Sequence, residues 1–254
     1  MKRVLTAAIL IPAVTYVALW GHWALFYACV IAVAVLCHRE YEGLAGAHGM
    51  AAFGLYGLGA GLVLLLAPRA DVTLLVIFVL LAMAMALRAD PLSDALPRAA
   101  AFALGIIYIF GPWRCAILLR EISPWWLLFA LSINWVGDIA AFYVGRKAGR
   151  HRLAPRISPA KSWEGAIASV VFSVIFAIVY FRYLIPDLAP IAGAGFAMAG
   201  NIAGQVGDLA ESAIKRGAGV KDSGNLLPGH GGWLDRLDSS LFSMPVIYWL
   251  LTLR

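Results

Sequence analysis

Charge is what this sequence has least of. Asp, Glu, Lys and Arg together supply 13% of its 254 residues, where a soluble domain carries about a quarter. With 62% of the residues hydrophobic, the shortage excludes a single water-solvated globule. That much apolar surface cannot be hidden in one core, so lipid is the expected solvent. Cysteine is nearly absent as well. Cys29, Cys37 and Cys115 lie in or beside apolar runs, without metal-ligand spacing or a disulfide framework, and read as small buried hydrophobes. No nucleic-acid partner is expected, because the basic residues sit between apolar runs and no binding motif accompanies them. A small-residue cleavage site is missing after the apolar stretch that follows Lys2 and Arg3, which argues against a removed signal peptide.

What is present is a succession of apolar runs. A helix needs about 20 apolar residues to cross the hydrocarbon core. By that measure there are nine candidate spans: Val4–Trp20, Trp23–Cys37, Ala51–Ala67, Val72–Leu87, Ala99–Leu119, Trp125–Val144, Gly165–Leu184, Ile191–Ile214 and Ser239–Leu253. The expected fold is therefore all-α, a polytopic integral membrane protein with about nine transmembrane helices. With Met1 placed in the cytoplasm, all but five of the 20 Lys/Arg fall on that side, the exceptions being Arg69, Arg114, Arg120, Arg182 and Arg254. The positive-inside rule thus predicts a cytoplasmic N-terminus. No repeat, low-complexity segment or soluble linker interrupts the chain. One membrane domain over residues 1–254 is expected, with N-terminal transmembrane helices in 1–120 and the chemistry-bearing helices and loops in 121–254. Trp20, Trp23, Trp113, Trp125 and Trp249 stand near span ends and read as an interfacial belt.

Two loops on the basic side differ from the rest. Gly145–Ser162 carries six Lys/Arg, and Lys215–Ser239 is rich in glycine and charge. Five of the 14 carboxylates fall within 208–238: Asp208, Glu211, Asp222, Asp235 and Asp238. Carboxylates at a bilayer boundary are costly unless paired or holding an ion, so the cluster points to function. Asp208 and Glu211 are three apart, as are Asp235 and Asp238, and each pair shares a face if helical. Such faces suit Mg²⁺, which takes carboxylates together with substrate phosphates. Lys215, Arg216, Lys221 and Arg236 can neutralise phosphate charge. The turn Gly229-His230-Gly231-Gly232 lets backbone N–H groups approach an anion. A merely solvated loop accounts for neither the Asp208 that enters an apolar run nor the carboxylate spacing.

The string Ser212-x-x-Lys215-Arg216-x4-Lys221-Asp222-x-Gly224-x3-Pro228-Gly229-His230-Gly231-Gly232-x-x-Asp235-Arg236-x-Asp238 resembles the signature of the phosphatidate cytidylyltransferase family. Asp138-x-x-Ala141-x-Tyr143-x-Gly145-Arg146 and Ile157-Ser158-Pro159-x-Lys161-Ser162-x-Glu164-Gly165 are similar to that family's other cytoplasmic-side motifs. The likeness covers roughly residues 130–240, with His38-Arg39-Glu40-Tyr41-Glu42 as a fainter match in the first half. Ala160 stands where the family commonly has a second lysine, which puts one phosphate contact in doubt.

The resemblance implies transfer of the cytidylyl group of CTP to phosphatidic acid, with pyrophosphate leaving. It also implies Mg²⁺ with a second, monovalent cation such as K⁺, membrane lipids as surroundings, and a homodimer. The setting it implies is the bacterial inner membrane, with the site facing the cytoplasm. Metal ligands are expected at Asp208 and Asp235, with Asp238 next. Lys215 and His230 join these three as catalytic candidates, His230 by phosphate contact or by protonating departing pyrophosphate. Substrate-binding candidates are Asp138, Ser158, Lys161, Ser162, Glu211, Arg216, Lys221, Asp222 and Arg236. Glu164 is expected to hold the Ser158–Ser162 loop. Glu211 and Asp222 could equally make structural salt bridges, and Asp138 a helix–helix hydrogen bond. An ion-coupled transporter would instead spread its acids along a transmembrane path. The Asp-Gly-x-x-Ala-Arg motif of CDP-alcohol phosphotransferases is missing.

Overall fold

The computed structural model describes residues 2–50, 54–67, 72–226 and 231–254, the first six of them by backbone alone. Among the described residues there are nine helices when one continuous run is counted once: α1 (Lys2–Leu19), α2 (Trp23–Ala47), α3 (Gly54–Leu66), α4 (Val72–Ala86), α5 (Leu92–Ile122), α6 (Pro124–Ala148), α7 (Trp163–Leu184), α8 (Pro190–Gly217) and α9 (Leu234–Thr252). Within the described residues each expected apolar run falls on one of them, residues 51–53 of the third run lying outside the described residues. Four, namely α2, α5, α6 and α7, are long and apolar enough to cross a membrane. The chain is an all-α membrane protein. At 1.5 Å per residue, the 13 residues of α3 and the 15 of α4 reach about 20 Å, short of the roughly 30 Å hydrocarbon core.

Two departures from the sequence reading matter for function. The basic loop after α6 is not irregular: β1 (Arg152–Ala154) pairs antiparallel with β2 (Ser158–Ser162), matching Arg152 with Ser162 and Ala154 with Ser158. Helix α2 runs ten residues beyond the expected end at Cys37, through His38, Glu40 and Glu42 to Ala47. Hydropathy cut it short because those residues are polar, but His38, Glu40 and Tyr41 are buried. Trp20, Trp23 and Trp249 are exposed beside helix ends, whereas Trp113 is buried well inside α5.

The chain divides into two compact units. The first takes Met1–His22, Cys115–Ala213 and Leu237–Arg254. Here α6 and α7 make the most extensive pairing. Ser169, Ser173 and Ala177, four apart and almost fully buried, form the inner stripe of α7. Its outer face is Ile167, Val171, Phe172, Ile175, Ile178 and Val179, all exposed. Large apolar side chains outside and small polar ones inside reverse the pattern of a soluble helix, as lipid solvation requires. Asn201 of α8 donates to Ser169 Oγ and Ser173 Oγ at 3.0 Å each, and its carbonyl oxygen accepts from Gln205 at 2.7 Å. Asn134 of α6 donates to Ser243 Oγ of α9 at 2.8 Å. Such bonds join helices where apolar packing has no solvent to flee. Arg120, buried near the end of α5, donates to the carbonyls of Ala18 (2.9 Å) and Gly21 and so closes the C-terminus of α1.

The second unit takes Trp23–Arg114 and Ile214–Arg236. Its core gathers Phe26, Tyr41, Leu64, Phe78, Phe102 and Phe110. Gly61 of α3 lies against the Phe110 ring so closely that a Cβ there would sit 2.1 Å from a ring carbon. A π-helical stretch, Gly105–Phe110, interrupts α5 at this contact. Tyr41 donates to the Ala101 carbonyl at 2.8 Å and Arg114 to that of Leu65 at 3.1 Å.

Candidate active site

The residues singled out from the sequence fall in both units. In the first, the β-hairpin delivers Lys161 and Ser162 to the start of α7. Ser162 caps that helix, its Oγ accepting from the Gly165 N–H at 3.2 Å. Glu164 in the first turn accepts from the His151 backbone N–H at 3.2 Å and contacts His151 Nδ1 at 2.7 Å, tying the hairpin's start to its end. Lys161 Nζ pairs with Asp208 Oδ2 of α8 at 2.5 Å, and both side chains are nearly one-third exposed. Ser212, one turn on, donates to Asp208 Oδ1 at 3.3 Å. Glu211 is fully buried.

Helices α8 and α9 meet beside these residues because α8 has no side chain in the way. A Cβ on Gly207 would lie 2.6 Å from the Asp238 carbonyl oxygen and 2.7 Å from the Phe242 ring. Gly204 is pressed in the same way against Asn134. The Asp238 carboxylate is buried and accepts from the Ser239 N–H at 2.6 Å. Ser158 is half-buried on β2, and Asp138 lies on an exposed face of α6.

In the second unit Lys215 and Asp235, both over nine-tenths buried, form an ion pair. Asp235 Oδ2 also accepts from the backbone N–H groups of Ser223 (2.9 Å) and Gly232 (2.8 Å). Burial opposes the charged form of Asp235. The hydrogen bonds from Lys215, Gly232 and Ser223, with the charge of Lys215, outweigh it and hold the carboxyl below the usual carboxylate range. Gly231 makes the turn possible: its φ is +79°, and a Cβ there would come within 2.6 Å of Asp235 Oδ2 and 3.2 Å of Asp222 Cβ. Arg216 donates to the Val220 carbonyl at 2.9 Å. Lys221, Asp222 and Arg236 are exposed. His230 lies outside the described residues.

Sequence reasoning named all four members of the two Lys–Asp pairs without pairing them. It gave Glu40 no role in the site. That residue of α2 is buried, and its carboxylate accepts from Ser223 Oγ (2.9 Å), Trp233 N–H (3.0 Å) and Leu234 N–H (2.8 Å). The available signal was its place in the faint His38–Glu42 match.

No group of three His, Cys, Asp or Glu side chains converges as a metal site among the described residues. The donor chemistry nonetheless fits a hard cation that draws on one or two carboxylates and on substrate phosphates. A carboxylate has about four lone-pair sites, and at Asp208 two donors, Lys161 and Ser212, meet a side chain that is 30% exposed.

A family model for the cytidylyltransferase family matches residues 1–254. The chain belongs to the cytidylyltransferase family. Among curated relatives, the phosphatidate cytidylyltransferase of Bacillus subtilis is 39% identical over 153 residues, covering 59% of this chain and 57% of the relative. That of Thermotoga maritima is 40% identical over 171 residues, covering 63% and 61%. That of Staphylococcus haemolyticus is 43% identical over 126 residues, covering 50% and 48%. The matched part of the chain thus spans about half to three-fifths of these relatives.

Proposed function

We propose that this protein transfers the cytidylyl group of CTP to phosphatidic acid, giving CDP-diacylglycerol and pyrophosphate for phospholipid synthesis. The observation that carries the reading is the two Lys–Asp pairs, Lys161–Asp208 and Lys215–Asp235, in a chain that matches the cytidylyltransferase family from end to end. Relatives about 40% identical that are named phosphatidate cytidylyltransferases support the lipid substrate. Apolar helices α2, α5, α6 and α7 suit an acceptor that stays in the bilayer.

In the reaction a phosphate oxygen of phosphatidic acid forms a bond to the α-phosphorus of CTP, and the bond to the β-phosphate oxygen breaks. The monoester is already ionised near neutral pH, so no strong base is needed. Placement of two mutually repelling anions and charge stabilisation carry the barrier. Lys161 and Lys215 supply compact positive charge for the phosphates. Ser158 and the hydroxyl of Ser162 can donate to phosphate oxygens, and Arg216, Lys221 and Arg236 add charge at the margin. Asp208, Asp235 and Asp238 each have the donor type to hold Mg²⁺, Asp235 on yielding one of its three present donors. When bound, Mg²⁺ would offset charge on the triphosphate and the departing pyrophosphate. The reading includes a second, monovalent cation such as K⁺. His230 is assigned to pyrophosphate. Asp138, Glu211 and Asp222 are assigned to the polar lining around substrate.

The reading places the protein in the bacterial inner membrane as a homodimer, with the site on the cytoplasmic side, where CTP is made. The test is purified full-length protein in detergent with labelled CTP, dioleoyl phosphatidic acid and Mg²⁺. Labelled CDP-diacylglycerol is expected to form only when all three are present. Pyrophosphate release that ignores added phosphatidate, or that survives Asp235→Ala, would sink the assignment.

A further inference from the structure

Glu40 is a carboxylate on an apolar helix, two turns from its end, yet it is 7% exposed. A charge is buried there only if hydrogen bonds compensate it. Among the described residues, all the compensation that it receives comes from one segment far along the chain. Oε1 accepts from the Trp233 N–H, and Oε2 from the Leu234 N–H and the Ser223 hydroxyl. The two N–H groups are among the donors that a helix leaves unsatisfied at its start, here at the start of α9. The fit is close: a Cβ on Gly232 would lie 2.3 Å from Glu40 Oε2, and one on Gly224 would lie 2.7 Å from Oε1.

Asp235 grips the same segment from its own side, taking the N–H groups of Ser223 and Gly232. Gly232, Trp233 and Leu234 therefore send three consecutive N–H groups to two carboxylates, the first to Asp235 and the next two to Glu40. Ser223 is shared, its N–H going to Asp235 and its hydroxyl to Glu40. Neither acid can shift without moving the backbone that holds the other.

We infer that Glu40 is a positioning residue of the active site, which fixes the 231–234 backbone and through it the Asp235 carboxylate and its partner Lys215. It touches no reacting atom. Its role in turnover rests on the reaction proposed above, whereas its grip on the segment does not, and the test reads the two separately.

The experiment uses full-length protein in detergent and three variants, Glu40→Gln, Glu40→Asp and Ser223→Ala. Turnover of CTP with phosphatidic acid gives kcat and KM, hydrogen exchange reads residues 231–236 against the rest of the chain, and thermal unfolding reads global stability. Glu40→Gln keeps size and one acceptor but turns an NH₂ toward a backbone N–H. It is expected to lower kcat by on the order of tenfold to a hundredfold, as small misplacements of catalytic groups do, with both KM values within about threefold. Exchange should quicken at 231–236 alone. Ser223→Ala, which removes one of the three donors, should show the same split to a smaller extent. Glu40→Asp keeps the charge at a shorter reach and should fall between parent and Glu40→Gln. A Glu40→Gln variant with parental kcat overturns the inference. So does a kcat loss that follows a general fall in unfolding midpoint with exchange faster everywhere, which is the signature of a merely structural residue. Should the parent itself fail to consume CTP with phosphatidic acid, the proposed reaction falls. The exchange data then decide the grip alone: faster exchange confined to 231–236 upholds it, and unchanged or general exchange overturns it.

Discussion

Replacing Lys215 with methionine isolates the buried ion pair. The side chain keeps most of its length and loses its charge, so Asp235 remains over nine-tenths buried with two backbone N–H donors, at 2.9 and 2.8 Å, and no counter-charge. Breaking a buried pair by removing one partner costs about 3–5 kcal/mol. For a chain of this size, that is a fall of roughly 6–20 °C in unfolding midpoint. The pH dependence changes sign along with it. In the parent the Asp235 carboxyl is held below its ordinary range. Its contribution is therefore present above the unfolded-state pKa of about 4 and is lost as pH falls through the depressed folded value. Without Lys215 burial dominates, the folded-state pKa rises above the unfolded one, and the folded protein gains stability as pH drops toward it. Unfolding midpoints in detergent between pH 4 and 8 measure both effects. The deficit of Lys215→Met should be largest at neutral pH and shrink toward pH 5. Adding Asp235→Asn should recover part of it. A Lys215→Met midpoint within about 2 °C of the parent at pH 7 refutes the reasoning, and so does a deficit that grows as pH falls.

Lys161→Met should behave differently, because the Lys161–Asp208 pair is nearly one-third exposed and such pairs contribute about 0–1 kcal/mol. Its midpoint should stay near parental while CTP turnover falls at least tenfold; a variant with full turnover removes Lys161 from the phosphate site. Gly231→Ala puts a Cβ at φ +79° against Asp235, at a cost of about 1–2 kcal/mol from the backbone alone, and turnover should drop more than stability. Gly207→Leu drives a side chain into the Asp238 backbone and the Phe242 ring; size-exclusion in detergent should show loss of the monodisperse peak. Chelation by EDTA should stop turnover and excess Mg²⁺ restore it, while an EDTA-resistant rate would exclude a metal-dependent transfer.

Within the described residues all nine apolar runs fall on helices, because the exclusion of charge from lipid acts on composition, and composition is visible residue by residue. The hairpin Arg152–Ser162 escaped notice since a basic, proline-containing stretch shows no alternation of apolar and polar residues. The last ten residues of α2 escaped for a related reason. Glu40 is buried by partners nearly 200 residues away, and a hydropathy window registers only its charge. The candidate residues stand out as a set by their spacing and family likeness. Who pairs with whom does not: Lys215 and Asp235 are separated by 20 residues, and Lys161 and Asp208 lie on different elements. Trp113 of α5 is buried against protein, which closeness to a span end does not register.

The two faces of α7 are written in different alphabets. Positions 167, 171, 175 and 178 carry large apolar side chains toward the outside, while 169, 173 and 177 admit only serine or alanine against neighbouring helices. A library randomised over this helix should therefore divide by position. Outward sites would accept almost any greasy residue regardless of shape, and inward sites would reject bulk regardless of polarity. Sequence drift would be fast on one side of the same helix and nearly frozen on the other.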